Sequence, residues 1–204
     1  MKLYDITVPL TNDLASWPGE DGFNRKERNA GEEAIVSDIT VGSHTGTHID
    51  SPKHFKNKGT VDEIDLQSLI GECLVVEITH EGQINSSDVD NLPDGTERVI
   101  FKTSNTSRNL LDDQEFHKDF VSLDVSAAEA IVKKGIKLVG VDYLSVEQKG
   151  AKGHPVHNTL LKAGVVSLEA CYLKDINPGK YEIIALPLRI KEGDGSPARV
   201  ILKK

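Results

Sequence analysis

Five of the seven histidines fall in two short stretches, His44, His48 and His54 in one and His154 and His157 in the other. The first stretch reads Ser43-His44-Thr45-Gly46-Thr47-His48-Ile49-Asp50-Ser51-Pro52-Lys53-His54. Imidazole and carboxylate are the donors that bind zinc or manganese, so His44, His48 and Asp50 are candidate ligands of a divalent metal. On a helix, His44 and His48 would share a face while Asp50 pointed roughly 200° away from His48, at ~100° of turn per residue. In an extended chain, side chains alternate with a period of two. All three then project to one side, with Gly46 between them leaving open space beside the metal. Pro52 argues further against a helix, because it disfavours helical geometry at Ser51. Thr45 and Thr47 are suited to hydrogen-bond the ligand loop or a ligating carboxylate. His54, just beyond the bend, is placed to face a bound substrate and shuttle protons. A lone H-x-x-x-H pair is weak evidence, since surface histidines often fall at that spacing; Asp50, Gly46 and His54 in one loop strengthen it.

Positioning such a loop requires a rigid frame, and the frame is written in β-branched apolar runs. These occur at residues 2–8, 35–41, 73–78, 98–102, 137–141, 165–168, 181–188 and 198–202, which are predicted strands. Helices are fewer and short. Ser126-Ala127-Ala128-Glu129 reads as a capping box opening a helix that stops at Gly135, and a second helix runs from about Asn158 to Gly164. Weaker helical candidates lie at residues 64–70 and 87–91. Residues 17–33 and 149–155 are polar and loop-like, natural walls for a pocket. The predicted fold is an α/β domain spanning residues 1–204, with a mixed, partly closed barrel-like sheet flanked by a few helices.

The chain has 204 residues and a net charge of −8, with no basic stripe, which disfavours nucleic acid as a partner. No stretch is long and apolar enough to cross a bilayer and the first residues lack a signal-peptide core, so a cytoplasmic protein without a membrane partner is expected. Cys73 and Cys171 sit in apolar surroundings and read as core thiols. His80 and His117 have no partner motif and read as surface residues, and His154 as a loop residue.

The string from His44 to His54 resembles the H-x-G-T-H-x-D-x-P-x-H signature of the cyclase family of metal-dependent hydrolases, which includes bacterial kynurenine formamidases and isatin hydrolases. The similarity is collinear along the chain. It takes in Asp5-Ile6-Thr7, Trp17-Pro18-Gly19, Val139-Gly140-Val141-Asp142, His157-Asn158-Thr159-Leu160-Leu161, Leu168-Glu169, Ala185-Leu186-Pro187-Leu188 and Gly195-Ser196-Pro197-Ala198-Arg199. The segment Asp142-Tyr143-Leu144-Ser145-Val146-Glu147 is similar to the broader family rather than to the Asp-Thr-Pro-Ser type of dedicated formamidases.

What the resemblance implies is a two-metal site binding Zn2+ or Mn2+. His44, His48 and Asp50 would hold one metal, Asp50 would bridge to a second, His157 would bind the second and Glu169 would bridge both. His54 would be the proton donor and acceptor, and Trp17 would contact substrate. The activity implied is hydrolysis of a small amide, as in an arylformamidase releasing formate and kynurenine in tryptophan catabolism. Opening of a cyclic amide such as isatin is the alternative within the family, and a non-catalytic metal-binding protein the alternative outside it. Relatives of this kind are dimers or larger, so a homodimer or tetramer is expected. Glu169, alone among apolar residues, would be a costly buried charge unless paired or metal-bound. His157 by itself reads as a solvated helix terminus, and Trp17 equally as a core plug.

Overall fold

The computed structural model describes residues 1–29 and 34–204. In chain order the strands are β1 (Leu3–Asp5), β2 (Phe23–Asn29), β3 (Ile35–Val41), β4 (His48–Asp50), β5 (Ile70–Glu77), β6 (Arg98–Lys102), β7 (Leu138–Val141), β8 (Val166–Glu169), β9 (Gly179–Pro187) and β10 (Gly195–Lys203). The helices are α1 (Leu66–Leu69), α2 (Ser86–Asp90), α3 (Ser104–Ser107), α4 (Val125–Lys134) and α5 (Pro155–Lys162).

The sheet runs β1-β10-β4-β8-β7-β6-β5-β9, and β9 pairs back to β10. Seven strands therefore form a closed ring, with β1 attached outside it on β10. Strands β5 to β8 are parallel neighbours and the remainder pair antiparallel. Parallel neighbours need crossovers, and α2, α4 and α5 lie in those connections. The sheet is mixed as expected, and closed more fully than the sequence suggests: the long β9 and β10 pair from Ala198↔Pro187 to Lys203↔Glu182 and seal the gap.

Closure on one side and helices on the other bury both faces of β6, β7 and β8. On β6, Ile100 joins a cluster with Ile49, Leu138, Leu168, Ile183 and Val200, while its neighbours Val99 and Phe101 join Ile84, Leu123, Ile131 and Leu160 under the helices. Such a strand shows a continuous apolar run rather than alternation, which is why β6 is legible in sequence. A third cluster, around Val8, Phe120, Tyr143 and Ala170, packs beside Trp17 and Phe116. Cys73 and Cys171 are buried free thiols, as expected.

Several boundaries depart from the sequence reading. Residues 17–33 are not loop throughout, since Phe23–Asn29 forms β2, paired with β3 from Phe23↔Val41 to Asn29↔Ile35. Positions 24–28 are all exposed, so burial imposes no periodicity there. The end of that predicted loop, residues 30–33, lies outside the described residues. The cap of α4 is Asp124, not Ser126: the Asp124 carboxylate accepts from Ala127 N at 2.8 Å, and Ser126 Oγ donates to the same oxygen at 2.7 Å. Helix α5 starts at Pro155 rather than near Asn158, proline being well suited to a first helical position. Residues 64–70 give only the short α1, because Ile70 already belongs to β5.

Candidate metal centre

Strand β4 is the meeting point of the two histidine stretches. Its antiparallel pairing with β8 sets His48 opposite Glu169 and Asp50 opposite Ser167. On its other edge, β10 sets Gly195 opposite Asp50 and Pro197 opposite His48. His48 and Asp50, two residues apart on a strand, share a face as expected. The extended geometry does not continue to His44, because Gly46 takes φ 63° and turns the chain. Nor does Gly46 leave open space: a Cβ there would lie 2.6 Å from Leu10 Cδ2, so its missing side chain makes room for Leu10. The glycine that accommodates His44 is Gly195, where a Cβ would lie 2.6 Å from His44 Cε1. Ser51 is extended before Pro52, and Pro52 then opens a short 3-10 turn, Pro52–Phe55, that carries His54.

Thr47 Oγ donates to the Ala170 carbonyl at 2.7 Å and accepts from Val8 N at 2.9 Å, locking the loop to the residue after Glu169. Thr45, expected to act likewise, is buried with a hydroxyl that has no partner among the described residues.

His48 Nδ1 donates to the Gly46 carbonyl at 2.9 Å, which leaves its Nε2 lone pair aimed into the cluster. That Nε2 lies 3.2 Å from Glu169 Oε2 and 3.4 Å from Asp50 Oδ1 without being angled to either as a hydrogen bond. His157 Nε2 lies 3.3 Å from Glu169 Oε1 and 3.6 Å from Asp50 Oδ2. His44 Nδ1 is 2.8 Å from Asp50 Oδ1, and its Nε2 is 3.0 Å from Asp194 Oδ2. Among the described residues the donor atoms form four overlapping groups, of which His44/His48/Asp50 and Asp50/His157/Glu169 share Asp50, while His44/His54/Asp194 and Glu147/His154/His157 flank them. Five of the residues singled out in sequence are thus brought together.

The residues fit a divalent metal on their own evidence. Asp50 Oδ2 and His48 Nε2 are buried and make no hydrogen bond among the described residues. A buried polar atom without a partner is costly, and two convergent ones are what a cation satisfies. Burial disfavours charge on all of these groups, yet the ion pairs override it. The carboxylates of Asp50 and Glu169 beside it hold His48 well above the usual imidazole range, and those of Glu147 and Glu169 bring His157 to about 10. Asp50 is correspondingly held well below the usual carboxylate range by His44 and His48. A field that favours protons this strongly favours any cation.

A cavity of roughly 250 Å³ opens over the cluster, lined among others by Trp17, Glu20, His54, Phe55 and His154. Trp17 meets Phe116 edge-on at 5.0 Å and also lines the cavity. His54 is half-buried, its ring 3.8 Å from that of His44, and its ring nitrogens have no hydrogen bond among the described residues. Burial pushes the His54 imidazole below its usual range. His80 and His117 lie at the surface, each on a nearby carboxylate, Asp88 and Asp113.

Sequence reasoning missed Glu147 and Asp194. Glu147 is 2 % exposed and sits 2.8 Å from His157 Nδ1. Its signal was available: a lone acid closing the apolar Tyr143-Leu144-Ser145-Val146 run, as Glu169 closes another. Asp194 had no such signal, being half-exposed in a Gly-rich turn.

A sequence profile described as putative cyclase matches residues 4–148. A kynurenine formamidase of Bacillus cereus is 35% identical over 204 residues, covering 98% of this chain and 96% of the relative. A solved structure described as a potential metal-dependent hydrolase with cyclase activity superposes with a TM-score of 0.84 at 35% identity, covering 98% of this chain and 96% of that one. An isatin hydrolase bound to the product analogue thioisatinate shares the fold at a TM-score of 0.83 and 20% identity, covering 98% and 91% of the respective chains. The match of the profile over most of the chain, together with full-length relatives at this level of identity, establishes that the chain belongs to the cyclase family.

Proposed function

We propose that this chain is a metal-dependent hydrolase that cleaves the formyl C–N bond of an aryl formamide such as N-formyl-L-kynurenine, releasing formate and the aryl amine. The observation that carries the reading is the pair of donor groups sharing Asp50, roofed by a cavity with an aromatic wall. His44, His48 and Asp50 would hold one Zn2+ or Mn2+, and Asp50, Glu169 and His157 a second, since mixed imidazole and carboxylate donors suit either metal. The chemistry a divalent metal supplies in such a site is Lewis acidity, which makes water nucleophilic near neutral pH and polarises a carbonyl.

The chain's own residues do the rest. Trp17 and Phe55 offer aromatic faces to the substrate's aryl ring across the cavity. Burial favours a neutral His54 imidazole, whose unbonded ring nitrogen can take a proton from the attacking water and return it to the departing amine nitrogen. Asp194 accepts from His44 Nε2 and fixes that ring.

The chain is read as one domain acting in the cytoplasm; none of the helices described is long and apolar enough to cross a membrane. Ile35, Val36 and Ile39 on the β2–β3 hairpin are exposed, as are Leu186, Leu188 and Ile190, which supports pairing of subunits into a homo-oligomer.

The test is hydrolysis of N-formylkynurenine and of isatin by metal-loaded protein, with His54→Ala alongside. Formamide hydrolysis is expected, and His54→Ala should lose roughly 10²–10⁴-fold in rate while keeping its metal. Turnover of isatin alone would move the substrate to the cyclic amides. An undiminished rate in His54→Ala would remove His54 from the mechanism, and failure to bind either metal would remove the hydrolase reading.

A further inference from the structure

Glu147 is placed where neither family membership nor the ligand set accounts for it. Its carboxylate is buried beside the cavity and takes three donors. Oε2 accepts from His157 Nδ1 at 2.8 Å and lies 3.2 Å from His154 Nδ1, while Oε1 accepts from Val156 N at 2.7 Å in the first turn of α5. His154, the residue before that helix, has φ 47° and provides no side-chain cap, so the carboxylate also serves as the helix's missing cap.

We infer that Glu147 is a positioning residue for the second metal: it fixes the tautomer and orientation of His157 and strengthens it as a ligand. The inference rests on the proposed ligand role of His157. A carboxylate can only accept, so the bond at 2.8 Å holds a proton on Nδ1 of His157. Nε2 is then the nitrogen that faces Asp50 Oδ2 and Glu169 Oε1, and the one whose proton a metal would displace. His48 reaches the same state differently, its Nδ1 donating to a neutral backbone carbonyl. A full negative charge behind His157 makes its imidazole the more basic donor of the two, the arrangement by which an outer carboxylate tunes a metal-binding histidine.

The backbone around Glu147 extends the argument. Val146 N donates to Glu169 Oε1 at 2.8 Å, and Ser145 Oγ accepts from Glu147 N at 3.1 Å. Two consecutive residues therefore hold two different proposed ligands, Val146 through its amide and Glu147 through its side chain. Both ligands lie on the half of the centre contributed by α5 and β8. A role limited to capping α5 would need only Oε1.

Glu147→Gln separates the two roles. An amide offers one acceptor oxygen and one NH2, so it cannot accept from both Val156 N and His157 Nδ1 as the carboxylate does. Zn2+ and Mn2+ titrations followed by calorimetry should show one equivalent bound as in the wild type and the second weakened about 10–100-fold. Glu147→Asp, which keeps the charge but shortens its reach, should fall between. His154→Ala should leave both metal affinities unchanged, because that histidine shares the carboxylate without facing Asp50. If Glu147→Gln binds two equivalents with wild-type affinity, or if His154→Ala weakens the second site as much, the inference is overturned while the hydrolase reading stands. If the wild type binds no metal, the hydrolase reading falls first. Should the Glu147 variants fail to fold, nitrogen-15 NMR of the wild-type histidines still decides: a proton on Nδ1 of His157 is expected, and a proton on Nε2 alone would overturn it.

Discussion

Two aspartates lie fully inside this protein, and their surroundings differ in one respect. Asp142 accepts from Thr103 N at 2.7 Å, Thr103 Oγ at 2.8 Å, Asn105 Nδ2 at 3.1 Å, Thr106 N at 3.1 Å and Thr106 Oγ at 2.6 Å, so both oxygens are satisfied by neutral donors. Asp50 faces imidazoles, and its Oδ2 has no hydrogen bond among the described residues. A closed set of donors ties the end of β7 to the start of α3 and asks for nothing further. An open set of equal burial is stable only with something added. The comparison separates a structural carboxylate from a functional one without reference to position in the chain.

The sharpest way to break the comparison is to neutralise each aspartate in turn. Asp50→Asn should abolish metal binding at the first site and lower hydrolysis by more than about 10³-fold, while the apo protein keeps or gains stability. Asp142→Asn turns an NH2 toward donors and should cost about 3 kcal/mol in denaturant unfolding, with metal stoichiometry retained. Equal behaviour of the two variants in both assays would erase the distinction. The next effect is linkage: at a free metal concentration about 100 times its Kd, Zn2+ or Mn2+ should stabilise the wild type by about 2.7 kcal/mol per site relative to chelated protein. Asp142→Asn should show the same increment and Asp50→Asn a reduced one, readable as shifts in the unfolding midpoint.

A smaller effect is expected at the glycine behind His44. Gly195→Ala places a methyl 2.6 Å from His44 Cε1 and should displace that ring, weakening the first metal by about tenfold. An unchanged titration would show that His44 has slack. The smallest effect concerns groups outside both clusters. Burial pushes the Cys73 thiol up to about 12 and Cys171 well above its ordinary value, so iodoacetamide at pH 8 should leave both unmodified in native protein and label both once it is unfolded.

Much of this centre was legible because chemistry and spacing coincide in the loop from His44 to Asp50. The alternation that puts His48 and Asp50 on one face is a local property of strand geometry and follows from two residues' separation. The same reasoning failed at Gly46, because an extended chain was assumed where a left-handed turn makes room for Leu10. β2 was missed for a related reason: the side chains of residues 24–28 face solvent, so no burial periodicity marks it.

What the sequence determined by itself was therefore the donor chemistry, the extended delivery of His48 and Asp50, and, through resemblance, the identities of His157 and Glu169. Tertiary structure alone decided that these residues meet. The register His48↔Glu169 joins strands more than a hundred residues apart, and the pairing of β10 with β4 brings Gly195 and Asp194 against His44. It also decided which buried acid is complete and which is not, for Asp50 and Asp142 are the same residue type and equally buried. Hydrogen-bond satisfaction is a property of the whole neighbourhood, and no local window of sequence contains it.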